Sequence, residues 1–282
     1  MELIDGKSLS NKIQDKIAVE VEELKEEKNI VAGLAVILVG DDPASHAYVK
    51  MKAKACERVG FYSISHNMPD TISQDEIIAT IEMINNNPRI DGILVQLPLP
   101  SHIDTDKILE VIDPKKDVDG FHAYNMGRLV TNLDTFVACT PLGVMEMFKE
   151  YKIDLEGKNV CVVGASNIVG KPMASLLLNA NATVTVTHIY TKNLAFHTKN
   201  ADIVIVGVGV PKLIKEDMIK DGAIVIDIGI NRIEDGSLVG DVDFENVAPK
   251  CSYITPVPGG VGPMTIAMLL SNTLKSAKQR LL

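Results

Sequence analysis

Hydrophobic and polar positions fall along this chain in two successive series. Residues 8–28 place Leu9, Ile13, Ile17, Val21 and Leu24 at helical spacing with charges between them, the pattern of an amphipathic surface helix. GLAVILVG (33–40) is a short apolar run closed by glycine, which predicts a buried strand. A helix over 44–59, a strand FYSISH (61–66), a helix over 73–86, a strand GILVQLP (92–98) and a helix over 104–112 complete the first series. Ser73 and Glu76 stand in capping-box spacing. Strands alternating with helices of this length predict βαβ units and a parallel sheet.

Residues 113–140 break the rhythm. They are polar, rich in Asp, Gly and Asn and weakly periodic, so they are expected to form a functional loop followed by a linker. A helix is expected to begin near Pro141 with Thr140 as its cap. The second series holds the strands KNVCVVG (158–164), ATVTVTH (182–188), DIVIVGVG (202–209) and AIVIDIGI (223–230), with a helix starting near 170. A Pro/Gly loop then leads into a last helix with Ile266, Leu269, Leu270, Thr273 and Leu274 near one face, free to pack on either half. The expected architecture is α/β, two domains joined near residue 140.

Composition narrows the function class. The 282 residues are 46% hydrophobic and 23% charged, ordinary for a globular protein, and the net charge of −9 leaves no footprint for nucleic acid. No window reaches the roughly 18 consecutive apolar residues of a membrane span. MELIDGKSLS reads as neither a signal nor a transit peptide, so a cytoplasmic protein is expected. Cys56, Cys139, Cys161 and Cys251 are scattered without a C-x-x-C pair, which favours buried reduced thiols over disulfides or a metal site.

Two regions carry candidate chemistry. CVVGASNIVGKPMA (161–174) is a strand, a glycine turn and a helix start, where backbone N–H groups can face a pyrophosphate. Its spacing is G-x-S-x-x-x-G rather than G-x-G-x-x-G, and a purely steric glycine turn is the alternative. Three further apolar strands downstream favour a dinucleotide. The end of the second strand offers Thr187, His188, Ile189 and Tyr190, neither the acid that holds the ribose of NAD nor an arginine for NADP, with Lys192 the nearest cation.

The other region is the helix over 44–59. At 100° per residue Tyr48, Lys52, Ala55 and Val59 fall within about 60° of one another, with Ala44 and Met51 beside them. Lys52 thus sits on the face expected to be buried. It is either a snorkelling side chain or a desolvated lysine poised to move a proton. Gln96 interrupts the apolar run ILVQLPLP at the C-terminal end of a parallel strand, the edge where ligands gather in open α/β sheets. KDVDGFH (116–122) adds two aspartates in a loop.

These segments together resemble the bifunctional methylenetetrahydrofolate dehydrogenase/cyclohydrolase family. The resemblance rests on GDDPASHAYVKMKAKACERVGF, GILVQLPLP, KDVDGFH followed by N-x-G-R-L, CTPLGV, VVGASNIVGKPMA, GAIVIDIGINR, LVGDVDF and YITPVPGGVGPMT, and spans nearly the whole chain. It implies a folate-binding catalytic domain over 1–139 plus 268–282, with a Rossmann-type NAD(P)-binding domain over 140–267, a site in the cleft between them, and a homodimer. The implied reactions are oxidation of 5,10-methylenetetrahydrofolate with NADP, NAD being the alternative, and hydrolysis of the methenyl product to 10-formyltetrahydrofolate.

The family's catalytic lysine falls on Lys52, its stacking tyrosine on Tyr48, its lysine-supporting glutamine on Gln96 and its pterin-binding aspartate on Asp119. Further folate contacts fall on Pro258, Gly259, Gly260 and Gly262. Cofactor contacts fall on Gly164, Ala165, Ser166, Ile189 and Ile230. Relatives often carry arginine where this chain has Ala165 and Ile189. No metal, nucleic acid or membrane partner is implied. A dehydrogenase for an amino or hydroxy acid, which would supply a His–Asp pair, and a non-catalytic nucleotide-binding domain are the competing readings.

Overall fold

The computed structural model describes residues 1–280 and divides into two compact units. One comprises Asn11–Arg128, Asp134–Cys139 and Ile266–Leu282; the other comprises Met1–Ser10, Leu129–Leu133 and Thr140–Thr265. The first ten residues therefore cluster with the second series of the sequence rather than the first. The described strands are β1 (Glu2–Leu3), β2 (Gly33–Val39), β3 (Tyr62–Met68), β4 (Gly92–Val95), β5 (Asn159–Val163), β6 (Thr183–Thr187), β7 (Ile203–Val206), β8 (Ile224–Asp227), β9 (Asn231–Arg232), β10 (Leu238–Val239) and β11 (Tyr253–Ile254).

The unit that begins at Asn11 is built on a parallel sheet in the order β3-β2-β4. Every residue of β2 and β4 is buried, which is why GLAVILV and GILV are continuous apolar runs rather than alternating ones. Edge strand β3 is polar at intervals and only partly covered. The helix Gln74–Asn85 packs Ile77, Ile81 and Ile84 into the core beside Ile37 and Ile93. Its capping box forms as the spacing predicts: Ser73 Oγ accepts from Glu76 N and Glu76 Oε2 accepts from Ser73 N at 3.0 Å.

The helix Pro43–Arg58 starts at Asp42, whose carboxylate accepts from Ser45 N at 2.7 Å, with Pro43 in the first turn. The last helix, Val261–Gln279, ties into this unit along its C-terminal half. Asn272 Nδ2 donates to Val118 O and Val137 O, and Ser276 Oγ donates to Asp91 O and Lys115 O. Arg280 Nε lies 2.7 Å from the buried Asp91 carboxylate, which also accepts from Gly33 N.

The segment expected to be loop and linker contains a helix, Ala123–Val130. Asp117 anchors it by accepting from the N–H groups of Phe121 and His122 and from Asn125 Nδ2. The short helix buries Asn125 and Leu129 on one side, and the Asp117 bonds fix its first turn.

The other unit carries a six-stranded sheet in the order β1-β11-β8-β7-β5-β6, parallel at every pairing. The chain moves from β5 outward to β6, then returns to the other side of β5 with β7, so a topological switch point lies between β5 and β7. The strands expected over 202–209 and 223–230 end earlier, at Val206 and Asp227. Gly207, Gly209 and Gly229 belong to the loops that follow. Among the described residues no helix is long and apolar enough to cross a membrane.

Candidate active site and cofactor turn

The helix Pro43–Arg58 buries Ser45, Val49, Ala55 and Cys56, with Val59 buried just beyond its end. Lys52 points along the middle of that buried direction yet remains half-buried, because one flank of the helix is open. Ala44, Tyr48 and Met51, expected on or beside the covered stripe, are exposed, Tyr48 to 38%. Helical period alone gives the direction of a side chain and not whether a neighbour covers it.

Lys52 Nζ donates to Gln96 Oε1 at 3.0 Å. Gln96 follows directly on β4, and its N–H donates to Ile37 O on the neighbouring strand β2. Its side-chain amide is oriented from the other end, since Nε2 donates to Leu97 O at 2.8 Å. The carbonyl oxygen is therefore the end left for the lysine. The glutamine that the sequence reading singled out is a partner of that lysine.

Asp119 completes the group. Burial pushes its carboxyl up to about 6; the Lys52 charge pulls it back, the Asp117 charge adds to the rise, and a hydrogen bond from Cys139 opposes it. Cys139 also donates from Sγ to Val118 O at 3.3 Å, and burial, with Asp119 beside it, holds its thiol well above the ordinary range. Cys139 is the residue the sequence reading missed here, since a cysteine in an apolar context looks like packing alone. Asp117, the first acid of the same loop, is spent on backbone and Asn125 donors. The two aspartates thus divide into an anchor and a candidate ligand group.

The remaining candidates lie in the unit with the six-stranded sheet. Gly164 directly follows β5 with φ +118°, and a Cβ there would lie 2.7 Å from Gly207 O, so only glycine lets the loops after β5 and β7 approach. A Cβ on Gly170 would meet Gly164 O at 2.0 Å. Ser166 Oγ accepts from Val169 N at 3.2 Å as the helix Gly170–Asn179 begins. Ala165 and Ser166 therefore line a tight, backbone-walled turn at the carboxyl edge of the sheet, at its switch point. Ile189, just past β6, is 91% exposed, and Ile230 is exposed just past β8. Pro258 is exposed, Gly259 takes φ +105°, and Gly260 is buried, its N–H donating to Pro256 O.

Lys52, Gln96 and Asp119 are brought together, with Tyr48 one helical turn away. The turn residues form a second group, and Ile189 stands apart from it on the β6 side.

Comparison with known proteins gives a consistent result. Residues 4–119 match the model of the tetrahydrofolate dehydrogenase/cyclohydrolase catalytic domain, and residues 138–281 match that of the corresponding NAD(P)-binding domain. The chain is 86% identical over 280 residues to the bifunctional protein FolD of Sulfurovum sp. (strain NBC37-1), covering 99% of this chain and 100% of the relative. The crystal structure of the bifunctional methylenetetrahydrofolate dehydrogenase/cyclohydrolase FolD from Campylobacter jejuni superposes with a TM-score of 0.98 at 58% identity, covering 99% of both chains. The Trypanosoma brucei enzyme, solved with NADP and an inhibitor, superposes with a TM-score of 0.95 at 38% identity, covering 99% of this chain and 98% of that one.

Proposed function

The chain belongs to the tetrahydrofolate dehydrogenase/cyclohydrolase family, and from that premise we propose that it oxidises 5,10-methylenetetrahydrofolate to the methenyl cation with NADP, then hydrolyses the cation to 10-formyltetrahydrofolate. The observation that carries the reading is the Lys52–Gln96 hydrogen bond beside Asp119, within the stretch matched by the catalytic-domain model. It puts a proton-carrying amine, an oriented amide and a carboxyl in one place, the groups that acid–base chemistry on a pterin-bound carbon needs.

In the hydrolysis, Lys52 takes a proton from water as the oxygen bonds to the methenyl carbon. It returns a proton to N5 as the carbon–N5 bond breaks, and the second water proton leaves to solvent. Gln96 fixes where the amine points. Asp119 as a carboxylate accepts from the amino and ring N–H donors of the pterin. Tyr48, exposed, offers a flat ring and a hydroxyl to the same ligand. The loop Pro258–Gly262 is assigned to folate binding on the family resemblance.

The turn at Gly164 fits a dinucleotide, because glycines at 164, 170 and 207 let the loops after β5 and β7 and the start of the helix Gly170–Asn179 close together into a backbone-walled turn at the sheet edge, where a pyrophosphate can meet N–H groups. Gly164, Ala165, Ser166, Ile189 and Ile230 are the residues proposed to hold it. When bound, the nicotinamide supplies the acceptor for the hydride. The end of β6 carries no carboxylate to repel a 2′-phosphate, which favours NADP, with NAD the alternative. The enzyme is further taken to be a cytoplasmic homodimer, in keeping with four free, buried cysteines; a single-chain mass in sedimentation would overturn the dimer.

The test is incubation of the purified protein with 5,10-methylenetetrahydrofolate and either cofactor, following reduced cofactor and 10-formyltetrahydrofolate. Equimolar formation of both products, faster with NADP, is expected. No turnover with either cofactor refutes the function, and faster turnover with NAD refutes the cofactor choice.

A further inference from the structure

Two aspartates on the far side of the switch point from β6 belong to neither group above. Asp241 is fully buried and Asp227, the last residue of β8, is 3% exposed. Among the described residues neither takes part in an ion pair. Burial pushes the Asp227 carboxyl up to about 6, with backbone N–H donors opposing the rise and the Asp241 charge adding to it. Two acids buried side by side without a cation are costly, and apolar side chains would fill the same space at less cost. Something other than packing needs their oxygens.

The bonds show where they go. Asp241 Oδ2 accepts from Val208 N at 2.6 Å and Gly209 N at 3.0 Å, and Oδ1 accepts from Asn231 Nδ2 at 2.8 Å. One carboxylate therefore holds the loop that leaves β7 and, through the first residue of β9, the end of the loop that leaves β8. Asp227 holds Asp241 in turn. Its Oδ1 accepts from Gly229 N and Asp241 N, and its Oδ2 accepts from Val242 N, all within 2.9–3.0 Å. Glycine is required on both sides: a Cβ on Gly229 would meet Asp241 Cγ at 2.3 Å, and one on Gly240 would meet Asp227 Oδ2 at 1.9 Å.

Three stretches distant in sequence are thus fixed at the carboxyl edge of the sheet. In a doubly wound sheet the second strand, here β6, takes the adenosine ribose, so the β7 and β8 loops are left for the nicotinamide end. We infer that Asp241 is a positioning residue for the nicotinamide half of the cofactor site, setting the Val208–Gly209 and Ile230–Asn231 loops through its bonds, with Asp227 holding it in place. This rests on the dinucleotide reading above.

The variant Asp241→Ala removes both acceptor oxygens, from the Val208 and Gly209 N–H groups and from Asn231 Nδ2. Affinity for NADP, measured by calorimetric titration, is expected to fall about tenfold or more. Affinity for adenosine 2′,5′-bisphosphate, which lacks the nicotinamide, is expected to stay at the wild-type value, as is the rate of methenyltetrahydrofolate hydrolysis, which uses no cofactor. Equal losses for NADP and the bisphosphate would mean general disruption of the unit and would overturn the inference, as would unchanged NADP affinity. If Asp241→Ala does not fold, Asn231→Ala, which removes a single bond to Oδ1, takes its place, with a fall of about threefold expected for NADP alone. Failure of the wild-type protein to bind NADP at all would instead refute the cofactor reading itself.

Discussion

Gln96 allows the sharpest test of the proposed catalytic group, because its two ends do different work. Replacing it with alanine removes the oxygen 3.0 Å from Lys52 Nζ and the amide that donates to Leu97 O. A hydrogen bond to a charged group contributes about 1.5–3 kcal/mol. Both side chains are half-buried, so water re-enters and the lower part of that range applies. A loss of about 1.5–2 kcal/mol corresponds to a fall of about 10- to 30-fold in kcat. Both dehydrogenase and cyclohydrolase rates should fall, while KM for folate holds, since Gln96 acts through Lys52. Losing the Leu97 bond costs about 1 kcal/mol of stability, a drop of a few degrees in Tm at this chain length.

Gln96→Glu separates orientation from charge. It restores an acceptor of the same shape, but a carboxylate 3.0 Å from an ammonium attracts it by about 5 kcal/mol at an effective dielectric of about 20, before desolvation is subtracted. That holds the proton on Lys52, so this variant should be at least as slow as the alanine one. The assay is steady-state kinetics of both reactions in folded variants. Unchanged rates in Gln96→Ala, or full rescue by Gln96→Glu, would refute the role given to this bond.

Further expectations follow from the same geometry. With the Asp119 carboxyl pushed up to about 6, kcat/KM for the folate substrate should fall as pH drops through that value, and Asp119→Asn should remove the limb from the pH profile. The sign for stability is opposite: a carboxyl raised from its ordinary 3.8 favours the folded state when protonated, so this group's contribution is lost as pH rises from about 4 to 6. Denaturation midpoints of wild type and Asp119→Asn across that window measure it. Arg280→Ala should destabilise the chain by about 1–3 kcal/mol in urea unfolding, because it removes the ion pair of the buried Asp91 carboxylate and leaves it the Gly33 N–H and the Lys116 charge, the exposure of Arg280 keeping the loss below that of a fully buried pair; no measurable loss would contradict the pairing.

Much of this fold is legible in the residues themselves. GLAVILV and GILV announce buried parallel strands because both faces are covered, and Ser73 with Glu76 marks a helix start to the residue. The short strands β1 and β11 are not legible, since their pairing at Glu2↔Tyr253 joins two-residue segments far apart in sequence and leaves no periodic trace. Lys52 can be placed on a face from sequence, and Gln96 flagged as polar in an apolar run. Their meeting depends on how helix and sheet pack. Tyr48 shows the limit of that method, with the expected direction but without the expected cover. Cys139 and Asp241 give no local signal, because what distinguishes them is the carboxyl or the N–H groups that tertiary structure brings to them.

The measurement that bears most directly on the account is Lys52→Met, assayed for both reactions in one preparation that still binds NADP. Methionine keeps the unbranched apolar stem of the lysine out to Cε and removes the proton carrier. Loss of general acid–base catalysis predicts a fall of about 100-fold or more in hydrolysis of the methenyl substrate, with the dehydrogenase reduced as well. A variant that binds NADP normally and hydrolyses the methenyl cation at the wild-type rate would contradict the central claim.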